Sequence, residues 1–415
     1  MRSPGRQRLP ADRVGARRRR LPRLLAGGLA ALVAGCAGLS ARGPDAGRCW
    51  PEFPYRDGWL GGDAAYSLPL SGSETLWLFG DTFVGEPGAT DRRGAAFVHN
   101  SIARSRCLPD GRWQIDYAWG RAPDGTPRAF LERPGSGAWW WLFDGFLHGE
   151  RLYLGLLEVE SAPPRGPLAL PFAFSGVKLA RIPNPRDDPE DWRVELVTLA
   201  PGSRALPASA MVVDAPYVYL FAFLDRGDGR HPRALARLPL AALDGETRDL
   251  APALEYLALD GAWKPGLDAR DARLVMDDTA TEMSVRFHPG LARWLALYSY
   301  PVGDASPGTA RSDAVWLRTA AHLEGPWSER RLLFRVPELD PAYAGGYDPD
   351  TGCYAAKEHP QLSSGDRLVV TYVCNLFAAG GGDAGEAFAR LLVEMHLYRP
   401  IPVALDLPLE LRPDR

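Results

Sequence analysis

From Trp59 onward, short apolar or alternating runs are separated by clusters of Gly, Pro, Asp and Ser. Runs of this length, bounded by turn residues, read as β-strands. A loose round recurs: an apolar strand, a turn, an aromatic-rich strand, then one or two weaker strands. The first round holds "WLGGDAAYSLPL", "TLWLFGDTFVG", "AAFVHNSIARSRC" and "RWQIDYAW". Later rounds open on "WWWLFDGFLHG", "SAMVVDAPYVYLFAFLD", "EMSVRFHPGLARWLALYSYP" and "YAAKEHPQLSSGDRLVVTYVCN". A spacing of roughly 70 residues is long for a propeller repeat but workable with long loops. The pattern predicts an all-β fold, a five-bladed β-propeller with four-stranded antiparallel blades, over residues 56–405. Two packed β-sandwich domains are the rival arrangement. The fifth round closes on "ARLLVEMHLYRPIPV", read as strand. Only "RALARLPLAAL" looks helical, and Pro239 argues against a long helix.

The pattern before Trp59 is different. Arg2, Arg6, Arg8, Arg13 and the run Arg17 to Arg20 form a basic region. The apolar stretch "LLAGGLAALVAG" follows and is short for a membrane span. Residues 1–36 therefore read as an export signal. Its ending, Val33-Ala34-Gly35-Cys36, resembles the bacterial lipobox, which implies lipidation of Cys36 and a membrane anchor. An ordinary cleaved signal with an incidental cysteine is the alternative. Ala37 after the cysteine resembles outer-membrane sorting if the host is Gram-negative. Residues 37–55, rich in Gly, Ala, Arg and Pro, read as a tether.

Composition adds limits. A chain of 415 residues, 46% hydrophobic, can bury a large core. A net charge of −3 lacks the basic face that nucleic acid demands, so no nucleic-acid partner is expected. Beyond Cys36, the four cysteines Cys49, Cys107, Cys353 and Cys374 allow two disulfides in an exported protein. Three pairings exist; Cys353 with Cys374 is favoured because the two flank one hairpin. The chain is read as a monomer. No CxxC, HExxH, GxSxG or phosphate-loop pattern occurs, so no cofactor and no metal are expected; a structural calcium ion in the funnel is compatible with the fold but unindicated.

In a propeller the innermost strand of each blade lines a central funnel, where residues distant in sequence converge. The strands predicted to line it carry acids: Asp63, Asp144, Asp214, Glu282 and Glu358, with Asp81 on the second strand of the first blade. A carboxylate inside an apolar strand is costly unless paired, hydrogen-bonded or used. Two converging carboxylates suit glycoside hydrolysis, one protonating the leaving oxygen, the other acting as nucleophile or base. Asn100, Ser67, Arg286, Lys357 and His359 are candidate partners for sugar hydroxyls. Tyr66, Tyr354, Trp294 and Trp139 to Trp141 are candidate stacking rings. Asp81, Asp144 and Asp214 each have a competing reading as turn residues. His359 competes between channel metal ligand and hydrogen-bond partner. Lys357 and Glu358, as neighbours on a strand, point to opposite faces.

"GGDAAYSLPL…TLWLFGDTFVG…VHNSIA", with "EMSVRFHPGLARWLALYS" and "LEGPWS", resembles a bacterial domain-of-unknown-function family (DUF4185-like) with five-bladed propeller folds. Some of its members are endo-D-arabinanases. The fold is also similar to arabinanases, arabinofuranosidases and fructosidases. The resemblance implies a carbohydrate partner, plausible candidates being furanoside polymers such as arabinan. It implies Asp63 as base or nucleophile and Glu282 or Glu358 as acid, with Asp81 and Asn100 in the pocket. Asp144, Arg286, His359 and Tyr66 complete the predicted substrate-binding set. The third blade departs from the pattern by offering Asp214 in place of a clear Glu. A carbohydrate-binding lipoprotein without turnover and a structural envelope propeller are the alternatives.

Overall fold

The computed structural model describes residues 49–411, apart from 136, 166–169, 227–230, 302–311 and 378–382. The expected export signal, Cys36 and most of the expected tether lie outside the described residues. Five antiparallel sheets follow one another along the chain. The first runs Trp59–Pro69, Glu74–Val84, Ser101–Cys107, Trp113–Ala118, with Ala96–Val98 paired to the end of its second strand. The second runs Ala138–His148, Arg151–Arg165, Leu170–Ile182, Glu195–Pro201. The third begins Ala205–Asp214, Tyr217–Leu224, Arg233–Pro239, and adds short outer strands. The fourth runs Ser284–His288, Arg293–Tyr300, Ala314–Ala320, Arg331–Arg335. The fifth has three strands, Thr351–Glu358, Arg367–Leu376 and Ile401–Asp406. The first strand of each sheet touches the first strand of the next, and that of the fifth returns to that of the first. The result is a closed ring of five blades, a β-propeller.

Two local expectations are corrected. "RALARLPLAAL" is not a helix: Arg233–Pro239 is a central strand of the third blade, and only Leu240–Leu243 turns as a 3-10 helix. Arg233, Ala234, Leu235 and Ala236 are all buried, so both faces of this strand are covered. A strand buried on both faces loses the alternation that distinguishes it from a helix. Within "ARLLVEMHLYRPIPV" the chain is helical at first: Ala384–Leu391 is the one α-helix among the described residues, capped by the Asp383 carboxylate on the Gly385 amide.

The core lies between blades, where the inner residues of successive sheets interdigitate. Leu142, Leu154, Leu156, Val177, Leu206 and Leu220 are fully buried between the second and third blades. Two disulfides are present, Cys49–Cys107 and Cys353–Cys374, the second as expected across one hairpin. They befit a chain that folds in an oxidising compartment. The first ties the N-terminal segment to the first blade.

Candidate functional site

The first strand of blade one is irregular where Asp63 sits. Its pairing with Glu74–Val84 shifts register between Gly62, Ala64 and Tyr66. Ala64 and Ala65 hold positive φ angles of 65° and 59°. Non-glycine residues in that region cost about 1–3 kcal/mol each and persist where the surroundings over-determine them. The bulge turns the Asp63 carboxylate over Gly80, the glycine that interrupts "TLWLFGDTFVG". A Cβ on residue 80 would lie 2.5 Å from Asp63 Oδ1. Blade five repeats the device: Ala355, with φ 62°, breaks the pairing between Tyr354 and Lys357.

These kinks bring a cluster together. Asp63 Oδ2 accepts hydrogen bonds from Tyr354 Oη at 2.8 Å and Tyr398 Oη at 3.3 Å. Lys357 Nζ donates to Glu282 Oε2 at 2.6 Å and to the Ala355 carbonyl at 2.8 Å. Its ammonium also lies 4.3 Å from the centre of the Tyr66 ring, a cation–π contact. Burial, then the Asp81 and Glu282 charges, push the Asp63 carboxyl well above the usual range; the Tyr354 bond and Lys357 oppose this less strongly. Asp63 thereby favours its proton more than an ordinary aspartate does, beside an ion-paired carboxylate. Burial lowers the Lys357 pKa, against the pull of Glu282. Asp63, Asp81, Glu282 and Tyr354 all keep part of their surface exposed.

Supporting residues reach this cluster from far along the chain. Arg92 is fully buried and donates to the Leu60, Leu391, Glu394 and Leu397 carbonyls. It thereby fastens the segment carrying Tyr398 to the strand carrying Asp63. Gly61, at φ 123°, makes room for the Tyr398 carbonyl, which a Cβ would meet at 2.2 Å. Ser209 Oγ donates to the Thr281 carbonyl at 2.6 Å, and Arg233 Nη2 to that of Ala280, so blade three fixes the turn that presents Glu282. Burial brings the Arg233 pKa down to about 9.

Asp81 answers to a different set. Its Oδ1 accepts from Trp141 Nε1 at 2.8 Å and pairs with His99 Nδ1 at 2.9 Å. The imidazole stacks on Trp139, centroids 4.4 Å apart. Asp81 therefore shares space with Asp63 while orienting two rings.

The other predicted residues are placed elsewhere. Glu358 is buried and bonds His288 Nε2 at 2.9 Å, apart from the Asp63–Glu282 cluster, with Lys357 turned to the opposite face as alternation requires. Asp144 is fully buried, accepting from the Gly145 and Met211 amides and from Arg286. This joins blades two, three and four and leaves neither Asp144 nor Arg286 free for a sugar. Asn100 spends its amide on the Leu131 and Trp140 carbonyls and the Leu131 amide, fully buried. His359 bonds Ser67 Oγ through Nδ1 and Thr371 Oγ1 through Nε2, which closes blade one on blade five. Burial and the Lys357 and Arg286 charges push its pKa well down. With both nitrogens engaged it is a hydrogen-bond partner, not a metal ligand. Tyr66 is buried and donates to the Ser209 carbonyl, so it forms the floor under Lys357 rather than a stacking ring. Asp214 is exposed at the end of its strand, in the hairpin that leads to Tyr217.

His99, Arg92, Arg233 and Tyr398 were not among the expected site residues. His99 adjoins Asn100 in "VHNS", and its partner Asp81 was visible. Tyr398 had no local signal, since it meets Asp63 across 335 residues of sequence.

No curated protein matches the chain. The fold is similar to that of a candidate hydrolase from Bacteroides ovatus, with TM-score 0.59 and 18% identity, covering 84% of this chain and 86% of that one. An α-L-arabinofuranosidase from Lactobacillus brevis aligns at TM-score 0.44 and 14% identity, over 83% of this chain and 90% of its own. An α-L-arabinanase from Cellvibrio cellulosa aligns at TM-score 0.40 and 12% identity, over 83% and 91% respectively. The first likeness supports the propeller assignment; the other two are too divergent to add to it. The sequence resemblance pointed to a domain-of-unknown-function family with a propeller fold, DUF4185-like; the matching model is a different one. Residues 53–403 match the domain of unknown function DUF5005, and the chain belongs to that family.

Proposed function

We propose that this protein hydrolyses glycosidic bonds in a neutral glycan. Asp63 is the acid that protonates the leaving oxygen, and Glu282 is the base or nucleophile. The observation that carries this reading is the asymmetry of the two carboxyls. Asp63, bonded by two tyrosines beside Asp81 and Glu282, has its proton affinity raised, while Glu282 is paired with Lys357. Two neighbouring acids in opposite charge states are what glycoside hydrolysis requires. These roles reverse those implied by the family resemblance and leave Glu358 outside the reaction. A furanoside polymer such as arabinan is the first substrate to test, on the strength of that resemblance.

The purified propeller is incubated with arabinan and fructan, whose poor leaving groups need an acid, beside Asp63→Asn and Glu282→Gln variants. Release of reducing sugar by the parent alone supports the proposal. Equal activity in all three, or binding of every glycan without cleavage, contradicts it; the latter outcome identifies a carbohydrate-binding protein. We also propose export and lipid anchoring through Cys36, supported by the lipobox-like ending and the two disulfides. Loss of membrane fractionation in Cys36→Ser is the expected result, and unchanged fractionation refutes the anchor.

A further inference from the structure

We propose that the site binds a chain of several sugars, along a track of rings that runs past the acids over blades two and one. The inference rests on the glycan reading above and concerns how long a substrate the site engages. Phe172 and Trp141 meet at 4.9 Å between centroids, Trp141 and Trp139 at 6.2 Å, and Trp139 and His99 at 4.4 Å. His99 and Phe97 follow at 6.4 Å, and Phe97 and Phe388 of the helix Ala384–Leu391 at 6.0 Å. These are six rings in unbroken contact, drawn from four segments of the chain. Phe97 is 40% exposed and Phe388 44%. Contiguous exposed apolar surface marks ligand-binding grooves or partner sites.

The track is tied to the catalytic cluster by Asp81, whose Oδ1 holds both His99 and Trp141. Asp81 in turn lies close enough to Asp63 to raise its proton affinity. The rings and the acids are therefore one continuous surface. The rings meet mostly edge to face, with Trp139 and His99 stacked, and this file of apolar surface with polar edges at His99 and the indoles suits the C–H groups of successive sugar rings. A protein partner would need a broader patch than a file of single rings. Phe97 and Phe388 end the row and are its most exposed rings, and Phe97 also packs 6.3 Å from Tyr398, the tyrosine that bonds Asp63.

The test uses two ladders, arabino-oligosaccharides and fructo-oligosaccharides, each of two to eight residues, with kcat/KM measured at each length. In the parent, kcat/KM should climb with length, by about tenfold from the shortest to the longest. In the Phe97→Ala/Phe388→Ala double variant the long-to-short ratio should fall by about threefold to tenfold, and Phe97→Tyr/Phe388→Tyr should restore it. Cleavage by the parent that is independent of length overturns the track and leaves the glycosidase reading intact. A ratio unchanged by the alanine variant also overturns it. If neither ladder is cleaved by the parent nor bound by Asp63→Asn, the glycan reading fails, and the track with it.

Discussion

Two polar networks line the funnel of this propeller, and they differ in how their charges are matched. In one, Asp63 lies beside Asp81 and Glu282, Lys357 pairs with Glu282, and each carboxylate keeps some exposure. In the other, Asp144 pairs with Arg286 and Glu358 with His288, and both acids are completely desolvated. In the second network Asp144 has an arginine and two backbone amides, and Glu358 bonds His288 through one oxygen. Buried hydrogen-bonded groups of this kind fasten blades together. In the first network Lys357 pairs with Glu282 and His99 with Asp81, while Asp63 is bonded by tyrosine hydroxyls and has its proton affinity raised by burial and the neighbouring acids. Excess acid in a part-open site is how catalytic carboxyls acquire unlike charge states. The same residue type serves the fold in one network and, on the proposed reading, chemistry in the other.

This contrast predicts a double dissociation. Asp63→Asn should lower kcat/KM by about 10²–10⁴, the usual worth of a general acid, with no loss of stability. Asp144→Ala should leave Arg286 buried and unpaired, at a cost of about 3–5 kcal/mol in urea unfolding. The specific activity of its folded fraction should fall far less. A stable Asp144→Ala, or a destabilised Asp63→Asn, would erase the distinction. Glu282→Gln should lose both activity and stability, because it strands the Lys357 ammonium at 2% exposure.

The Asp63 shift also sets a pH signature. Its pKa in the folded protein stands well above the 3.8 of an ordinary aspartate. The folded state thus holds a proton that the unfolded state releases. The stabilisation is complete below pH 3.8 and is lost as pH rises through the folded pKa. Asp63→Asn should therefore flatten the decline of stability above that pH, and the parent's activity should fall on the alkaline side. Chemical denaturation across pH, for parent and variant, checks the sign.

Smaller changes sharpen the comparison. Gly80→Ala places a methyl where Asp63 Oδ1 now rests and should reduce kcat/KM by about 10²-fold through displacement alone. Circular dichroism should show the fold retained. Trp141→Phe removes one donor to Asp81 and keeps an aromatic ring. A loss of about tenfold or less in kcat/KM is expected, appropriate to one charge-assisted hydrogen bond.

Much of this was legible in the sequence. Alternation and turn residues marked most strands of the blades, whereas Asp63 was singled out among six acids by the family resemblance and not by local pattern. The Cys353–Cys374 bridge followed from a hairpin. Errors arose where local pattern was silent. Arg233–Pro239 lost its period because both its faces are buried. Asn100, Asp144 and His359 carry the residue types of a sugar site, yet inter-blade contacts occupy their polar atoms. Whether a polar side chain faces a ligand or another blade is a tertiary fact. The Gly-Asp-Thr that interrupts an apolar strand proved to have two separable causes: Gly80 clears space for Asp63, and Asp81 holds His99 and Trp141.

The most direct test of the two-carboxyl assignment is chemical rescue of Asp63→Asn and Glu282→Gln with azide on an aryl furanoside. A good leaving group needs no acid, and azide replaces a missing nucleophile or base. The account predicts that Asp63→Asn retains turnover of the aryl substrate without azide. It predicts that Glu282→Gln stays inactive until azide is added. Rescue of Asp63→Asn by azide, with Glu282→Gln active on its own, would contradict it and return the roles to those the family resemblance implied.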